Sequence, residues 1–131
     1  MPESIARVRV RYAETDKMGV AYYANYFVWF EVGRCELLRS LGGSYRQLET
    51  DGVMLPAIEA HCEFQKPARY DDELAIVTTG TLLSMIRVEF RYEVTRRSDR
   101  ATLAVGKTVH AAVDPRGQPR RLPSQIRTVL T

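Results

Sequence analysis

Cysteine, tryptophan and histidine are scarce in this chain of 131 residues, which contains two, one and two of them, respectively. Cys35 and Cys62 fall in apolar-patterned segments without the spacing of metal ligands, so we expect reduced, buried thiols and no metal or other cofactor. No apolar run approaches the length of a membrane span, and residues 1–25 hold no apolar signal-peptide core. We therefore expect a cytoplasmic protein of bacterial type.

The chain also has little excess of charge of either sign, because it contains 19 lysines and arginines and 16 aspartates and glutamates. The formal net charge of +3 suits an anionic ligand, but without a clustered basic patch it does not indicate nucleic-acid binding. At 45% hydrophobic and 27% charged residues, the chain is predicted to form one globular domain over residues 1–131.

The apolar pattern changes from strand to helix and back to strands. Residues 5–12 alternate apolar and polar side chains, which predicts a half-buried strand. Residues 26–41 are apolar around most of a helix, so we expect this helix to be enclosed and to end at Gly42. Gly33 within it costs about 1 kcal/mol relative to alanine, which indicates a close approach by a sheet.

A short polar stretch at residues 44–51, compatible with a helical turn, precedes three or four further strands. Alternating segments over residues 58–64, 86–94 and 101–113 are the clearest of them. Strand, helix and then antiparallel strands is the order of an α+β fold in which one sheet wraps a long apolar helix. Such a sheet has an open edge, so we expect the protein to self-associate.

Residues 12–26 are the most informative stretch, because an acidic turn ending at Asp16 runs directly into an aromatic-rich helix start. The first helical turn has backbone N–H groups without intrahelical partners and the positive end of the helix dipole. A polarised carbonyl oxygen fits there beside a carboxylate, which is a layout for acyl transfer without a metal. Asp16 fits a turn or N-cap role as well.

The same stretch resembles the signature of the 4-hydroxybenzoyl-CoA thioesterase family of hotdog-fold enzymes. The matching positions are Asp16, Gly19, Val20, Tyr22, Tyr23, Asn25 and Tyr26. Further blocks match in order over residues 30–42, 66–72 and 110–117, so the resemblance covers nearly the whole chain. It implies a hotdog fold, homodimers that often stack into homotetramers, and hydrolysis of an acyl- or aroyl-CoA thioester.

The resemblance also implies roles for single residues. The aspartate that matches Asp16 acts as a nucleophile or as a general base, and the backbone N–H at the position of Tyr23 stabilises the oxyanion. Gly19 permits the tight turn before the helix. Three residues are expected to shape the pocket and the helix start: Tyr22, Asn25 and Tyr26. For Asn25, an N-cap and a substrate contact fit equally well.

One departure from the family concerns Tyr23, because many bacterial members have histidine at this position. A histidine-assisted mechanism is therefore excluded, although tyrosine occurs there in other members. His61 and His110 do not replace the missing imidazole. Both lie on predicted strand faces, where a surface or supporting position is the more common role of a histidine.

Coenzyme A is expected to bind through arginines near its phosphates. The candidates are Arg87 and Arg91 on one strand face and Arg116, Arg120 and Arg121 in a basic C-terminal stretch, although each also fits a solvated surface position. The acyl group is expected to enter between subunits, where residues 53–56, including Met54 and Pro56, line one wall. Met54 fits the core equally well.

Two other classes of function stay open at this stage. A non-catalytic acyl-CoA or lipid-binding hotdog module keeps the fold and loses the carboxylate, so Asp16 in an intact motif counts against it. A hotdog hydratase or dehydratase needs a histidine–aspartate pair, and none occurs near the predicted helix. The acyl group is not readable, because relatives with similar motifs hydrolyse aromatic, aryl-ketide, dihydroxynaphthoyl and fatty acyl thioesters.

Overall fold

Five strands form one antiparallel sheet in the order β1-β3-β4-β5-β2 in the computed structural model, which describes residues 2–43 and 45–130. In chain order the elements are strand β1 (Glu3–Arg9), a 3-10 turn (Tyr12–Glu14), helices α1 (Asn25–Ser40) and α2 (Tyr45–Thr50), strands β2 (Ala57–Phe64), β3 (Glu73–Leu82), β4 (Arg87–Arg96) and β5 (Thr102–Ala111), and helix α3 (Ser124–Leu130). Helix α1 packs mainly on β1 and β3. The predicted arrangement of one sheet around one long helix is confirmed.

The first strand is shorter than predicted. It ends at Arg9, and Tyr12 begins the 3-10 turn with 78% of its surface exposed instead of facing the core. The chain leaves the sheet because both backbone groups of Val10 pair with the loop before β3, at Asp71 and Asp72. The polar groups of Val10 are thereby satisfied without a longer β1 ladder.

The sequence patterns did not predict two of the elements, β3 and α3. Strand β3 turns Leu74, Ile76, Thr78 and Gly80 inward, and the threonine and glycine hide the alternation of apolar side chains. Helix α3 has only seven residues in a stretch that was predicted to be a basic tail. The helical turn expected over residues 44–51 corresponds to α2, and residue 44 lies outside the described residues.

The core lies between α1 and the inner face of the sheet. Phe30 is fully buried and stacks on Tyr92 of β4, with ring centroids 4.2 Å apart and planes 3° from parallel. The opposite face of α1 is open, since Val28 and Val32 are 50% and 38% exposed. The prediction of an enclosed helix is therefore wrong for that face, because the sheet of this chain covers only one side.

Gly33 lies where α1 approaches β3 most closely. A Cβ atom at this position would meet the Thr78 hydroxyl and would lie 2.9 Å from Cγ2 of Ile76. The close approach expected from the sequence is therefore confirmed. Within the described ranges, none of the helices combines the length and apolar character that a membrane crossing needs.

Gly33→Ala should lower the free energy of unfolding by about 1–3 kcal/mol, because the added methyl group overpacks the contact with β3. The measurement is urea unfolding. Thr78→Ala removes the hydroxyl that the methyl group meets, so Gly33→Ala should be less destabilising in a Thr78→Ala background. Equal losses in both backgrounds would show that this contact does not set the position of α1.

Candidate active site

A tight turn presents the carboxylate of Asp16. The Asp16 N–H donates to the Val20 carbonyl at 2.9 Å, and the Gly19 N–H donates to the Asp16 carbonyl at 3.0 Å. Gly19 has a φ of +79°, in the left-handed region that favours glycine. Oδ1 of Asp16 accepts the Met18 N–H at 2.9 Å, while Oδ2 has no hydrogen-bond partner in the described part of the chain. One carboxylate oxygen is thus available to a ligand.

The start of α1 supplies backbone donors beside this turn. The Tyr22 N–H donates to the Glu14 carbonyl at 2.8 Å, and the Asn25 N–H donates to the Tyr22 carbonyl at 2.9 Å. Between them, the N–H groups of Tyr23 and Ala24 have no hydrogen-bond partner among residues 2–43 and 45–130. These are the orphan donors that a helix start leaves for a ligand.

A cavity of about 290 Å³ joins the two features. Its lining residues are Asp16, Met18, Val20, Ala21, Tyr23, Tyr26, Phe64, Gln65, Lys66 and Pro67. Phe64, the last residue of β2, meets the rings of Tyr26 and Tyr23 edge to face, with centroids 4.9 Å and 6.4 Å away. The carboxylate therefore faces a cavity with aromatic side chains on one wall, although Tyr23 and Phe64 remain 58% and 48% exposed in the single chain.

The other polar groups near the cavity are poor nucleophiles. Burial raises the pKa of the Tyr26 phenol, whose oxygen accepts the Ala68 N–H at 3.3 Å. A hydrogen bond to the Tyr23 phenol is the main cause that raises the pKa of Tyr22. Burial raises the pKa of the Cys62 thiol to about 11. Over the described ranges, no three side chains of His, Cys, Asp or Glu cluster as metal ligands.

Asn25 and Tyr22 lie beside the cavity rather than in its lining. The side-chain amide of Asn25 donates to the Glu14 carbonyl at 2.8 Å. Asn25 is the first residue of α1, and Ala24 is the N-cap, so the N-cap alternative for Asn25 is wrong. The exposed ring of Tyr22 packs on that of Tyr23, with centroids 4.7 Å apart.

Met54 and Pro56 lie at the opposite end of β2 from Asp16. They come just before Ala57, the first residue of the strand, whereas Phe64 at its last position lines the cavity. A strand of this length spans about 23 Å at about 3.3 Å per residue. Arg120 also lies at the far end, where its guanidinium donates to the Gly52 carbonyl at 3.0 Å. A single chain therefore does not bring these residues to Asp16.

The remaining candidate arginines are also outside the cavity. Arg87 and Arg91 lie on the outer face of β4, away from α1, and Arg91 pairs with Glu89 at 2.7 Å. Arg91 borders a separate concavity of about 480 Å³ on the outer sheet face, which carries side chains of both charge signs. Arg116 and Arg121 are exposed between β5 and α3.

His61 is exposed on the outer face of β2, whereas His110 is 1% exposed, so of the two expected roles, a surface or a supporting position, the surface position fits His61 alone. Nδ1 of His110 donates to the Leu55 carbonyl at 2.8 Å, and Nε2 accepts the Thr108 hydroxyl at 2.9 Å. Thr108 in turn accepts the Tyr92 hydroxyl at 2.6 Å. Burial is the main cause that lowers the pKa of His110. The imidazole therefore belongs to the core.

Glu14 is a buried residue that the sequence analysis did not single out. It is 6% exposed, and its carboxylate accepts the Arg11 N–H at 2.7 Å and the Trp29 indole N–H at 3.3 Å. The apolar alternation of β1 does not extend to Glu14, because Glu14 lies in the 3-10 turn that follows the end of the strand. The two residues that bind it are 3 positions before and 15 positions after it in the chain.

Known proteins resemble this chain in sequence. A model of the thioesterase superfamily matches residues 18–103. YneP of Bacillus subtilis (strain 168) is 46% identical over 79 residues, which are 60% of this chain and 56% of YneP. The acyl-CoA thioester hydrolase YbgC of Escherichia coli O157:H7 is 32% identical over 120 residues, which are 91% of this chain and 89% of YbgC.

A solved structure resembles this chain in fold. The crystal structure of Slr0204, a 1,4-dihydroxy-2-naphthoyl-CoA thioesterase from Synechocystis, has a TM-score of 0.90 and 25% identity to this chain. The alignment covers 98% of this chain and 95% of Slr0204. The sheet and helix are those of the hotdog fold, and the family model together with the relatives named as thioester hydrolases supports a thioester hydrolase. The chain belongs to the thioesterase superfamily.

The buried His110 should make the stability of the protein depend on pH. Its pKa is lower in the folded than in the unfolded chain, so the unfolded chain takes up a proton first as the pH falls. The free energy of unfolding should therefore decrease from about pH 7.5 to pH 5.5, on either side of the ordinary histidine pKa of about 6.5. Urea unfolding at both pH values should show a smaller decrease for His110→Gln, and an unchanged decrease would contradict the assignment.

Proposed function

We propose that the protein hydrolyses an acyl- or aroyl-CoA thioester to the free acid and coenzyme A, with Asp16 and the Tyr23 N–H as the reacting groups of the site. The observation that carries this proposal is that Asp16 and Tyr23 line one cavity with aromatic side chains, and that the Tyr23 N–H has no hydrogen-bond partner in the described part of the chain. The activities in the names of YbgC and Slr0204 support acyl-CoA as the substrate class.

The reaction begins when the thioester carbonyl oxygen accepts the Tyr23 N–H. Attack on the carbonyl carbon then moves an electron pair onto this oxygen, and the resulting oxyanion is stabilised by the same donor and by the positive end of α1. A single oxyanion donor contributes about 10²–10³-fold in other enzymes. The carbon–sulfur bond breaks as the oxyanion collapses, and the coenzyme A sulfur leaves as the thiolate and takes a proton.

Asp16 supports two routes to the oxyanion. As a general base it takes a proton from water, which attacks the carbonyl carbon. As a nucleophile its oxygen attacks the carbonyl carbon itself, and water then hydrolyses the mixed anhydride. The hydrogen bond from Met18 to Oδ1 leaves Oδ2 available in either case. Both routes consume one water and release the acid.

The active form is proposed to be a homodimer that pairs two copies of β2, with a homotetramer formed from two dimers. β2 is an edge strand, and on its inner side Ile58 and Phe64 are 46% and 48% exposed. An unpaired edge with an uncovered apolar face is a liability that a second copy removes. Two-fold symmetry makes the paired strands antiparallel, so each copy covers the same surface of the other.

This pairing supplies the residues that a single chain leaves distant. In an antiparallel pair, the start of one β2 lies beside the end of the other, where Phe64 borders the cavity. Met54 and Pro56 of one copy then form a wall of the acyl site of the other. Arg120 and Arg121 are carried to the same place, where they are proposed to bind the coenzyme A phosphates; Arg87 and Arg91 are less suited, because they lie on the outer sheet face.

Asp16→Asn should lower turnover at least about a hundredfold, because the amide keeps the volume of the carboxylate but cannot act as nucleophile or base. Single-turnover hydrolysis of a panel of aromatic and aliphatic acyl-CoAs measures the effect. Asp114→Asn is the matched control, since Asp114 also caps a turn, accepting the N–H groups of Arg116 and Gln118. Retained turnover in Asp16→Asn would remove Asp16 from the reaction, whereas a wild-type chain that binds acyl-CoA without turnover would favour a non-catalytic acyl-CoA-binding module.

Ile58→Lys should weaken self-association at least about tenfold, because the symmetric interface contains the substitution twice. Sedimentation at micromolar concentration measures the assembly, and turnover should fall with the loss of dimer. His61→Lys, on the outer face of the same strand, should leave the dimer intact. A wild-type chain that is monomeric at this concentration and fully active would contradict a site between subunits.

A further inference from the structure

We propose that Glu14 is a positioning residue, which holds the Asp16 turn and the Tyr23 N–H in the relative geometry that the reaction needs. The inference rests on the proposed function, because it assigns Glu14 a role through those two groups. Glu14 does not line the cavity, so it acts without touching the substrate.

The backbone carbonyl of Glu14 is the point at which the two halves of the site are joined. It accepts the Tyr22 N–H and the Asn25 side-chain amide, both at 2.8 Å. Tyr22 and Asn25 flank the Tyr23–Ala24 pair whose N–H groups have no partner in the described ranges. Asp16 follows Glu14 by two residues. Movement of this one carbonyl therefore changes the distance between the carboxylate and the donor.

The side chain of Glu14 fixes the carbonyl in turn. One carboxylate oxygen accepts the Arg11 N–H and closes the 3-10 turn, and the other accepts the indole N–H of Trp29, on the second turn of α1. Trp29 is buried and packs edge to face on Tyr26, with ring centroids 4.8 Å apart, and Tyr26 lines the cavity. The turn is thereby tied to the helix whose start supplies the donor.

Burial of this carboxylate points to a task beyond packing. Desolvation of a carboxylate is expensive, and an apolar residue of similar volume would fill the same space without that penalty. The penalty is offset by the hydrogen bonds from the Arg11 and Trp29 N–H groups and by an ion pair with the exposed Arg11 guanidinium, whose Nε lies 3.6 Å from the carboxylate. The hydrogen bonds have defined directions and therefore fix the orientation of the turn. Displacement of a reacting group by about 1 Å costs on the order of 10²-fold in rate, so such an orientation matters to the reaction.

The test uses Glu14→Gln and Trp29→Phe in the full chain. Glu14→Gln keeps the volume but sets an amide NH₂ against one of the two N–H donors, and Trp29→Phe removes the indole donor while an aromatic ring remains. Both variants should lose about 10–100-fold in kcat for acyl-CoA, with KM changed less than about threefold. The double variant should lose no more kcat than the single variant with the larger loss, because both changes break the same hydrogen bond between Glu14 and Trp29.

Tyr92→Phe is the control for a merely structural effect. It removes buried hydrogen bonds of the Tyr92 hydroxyl with Thr108 and Arg34, neither of which contacts Glu14, and should lower the melting temperature without lowering kcat. Trp29 is the only tryptophan, so its fluorescence should shift in Glu14→Gln and stay unchanged in Tyr92→Phe. If kcat of Glu14→Gln or Trp29→Phe stays within twofold of wild type, or falls only as much as in Tyr92→Phe, the inference is overturned.

The Asp16→Asn background separates this inference from the proposed function. In that background Glu14→Gln should cause a smaller further loss of turnover than in the wild-type chain, because only the Tyr23 N–H is then left for Glu14 to position. If Asp16→Asn is inactive while Glu14→Gln keeps its kcat, the positioning role fails and the proposed function stands. If Asp16→Asn itself keeps its turnover, the proposed role of Asp16 fails, and the positioning role, which acts through Asp16, fails with it.

Discussion

The contact between α1 and β3 at Gly33 is the constraint on which the rest of the structure depends. Without a side chain at this position, the helix lies close enough to the sheet for Phe30 to stack flat on Tyr92, one turn nearer to its start. A helix is stiff over this length, so the distance between helix and sheet at Gly33 also fixes the position of the first helical turn. That turn lies about 12 Å away at 1.5 Å per residue. The donors beside Asp16 are therefore positioned by packing in the middle of the helix.

A helix start offers donors to a ligand only if the chain before it is held in place. Here β1 ends early, and the chain returns to the helix through Glu14, whose carbonyl and carboxylate contact Tyr22, Asn25 and Trp29. The Asp16 turn adds its own hydrogen bonds through Val20 and Gly19. The turn and the helix start are thus joined by hydrogen bonds within this chain, while the site is open where β2 ends. In the dimer proposed above, the second copy covers that edge.

The sequence predicted the elements with strong periodicity and missed those that depend on contacts. The apolar pattern of α1 and the alternation in β4 predicted the first and last residues of both elements within one or two positions. Strand β3 was missed because Thr78 and Gly80 face inward and interrupt the apolar alternation. The motif located the Asp16 turn and the Tyr23 N–H. The motif did not reveal the role of Glu14, because the burial of Glu14 depends on its hydrogen bond with Trp29, 15 residues later in the chain. Residues at the far end of β2 could not be related to Asp16 without knowing that β2 is the edge.

The replacement of histidine by Tyr23 is consistent with activity, because the proposed donor is a backbone group. Exchange of the side chain leaves the Tyr23 N–H and the helix dipole unchanged, since both depend on the path of the chain. The tyrosine ring instead packs on Tyr22 and meets Phe64, so it adds an apolar wall where an imidazole would add a proton carrier. Proton transfer then falls to Asp16 and water. The reaction proposed here therefore depends more heavily on the orientation of one carboxylate, and that orientation is set by the turn which Glu14 anchors.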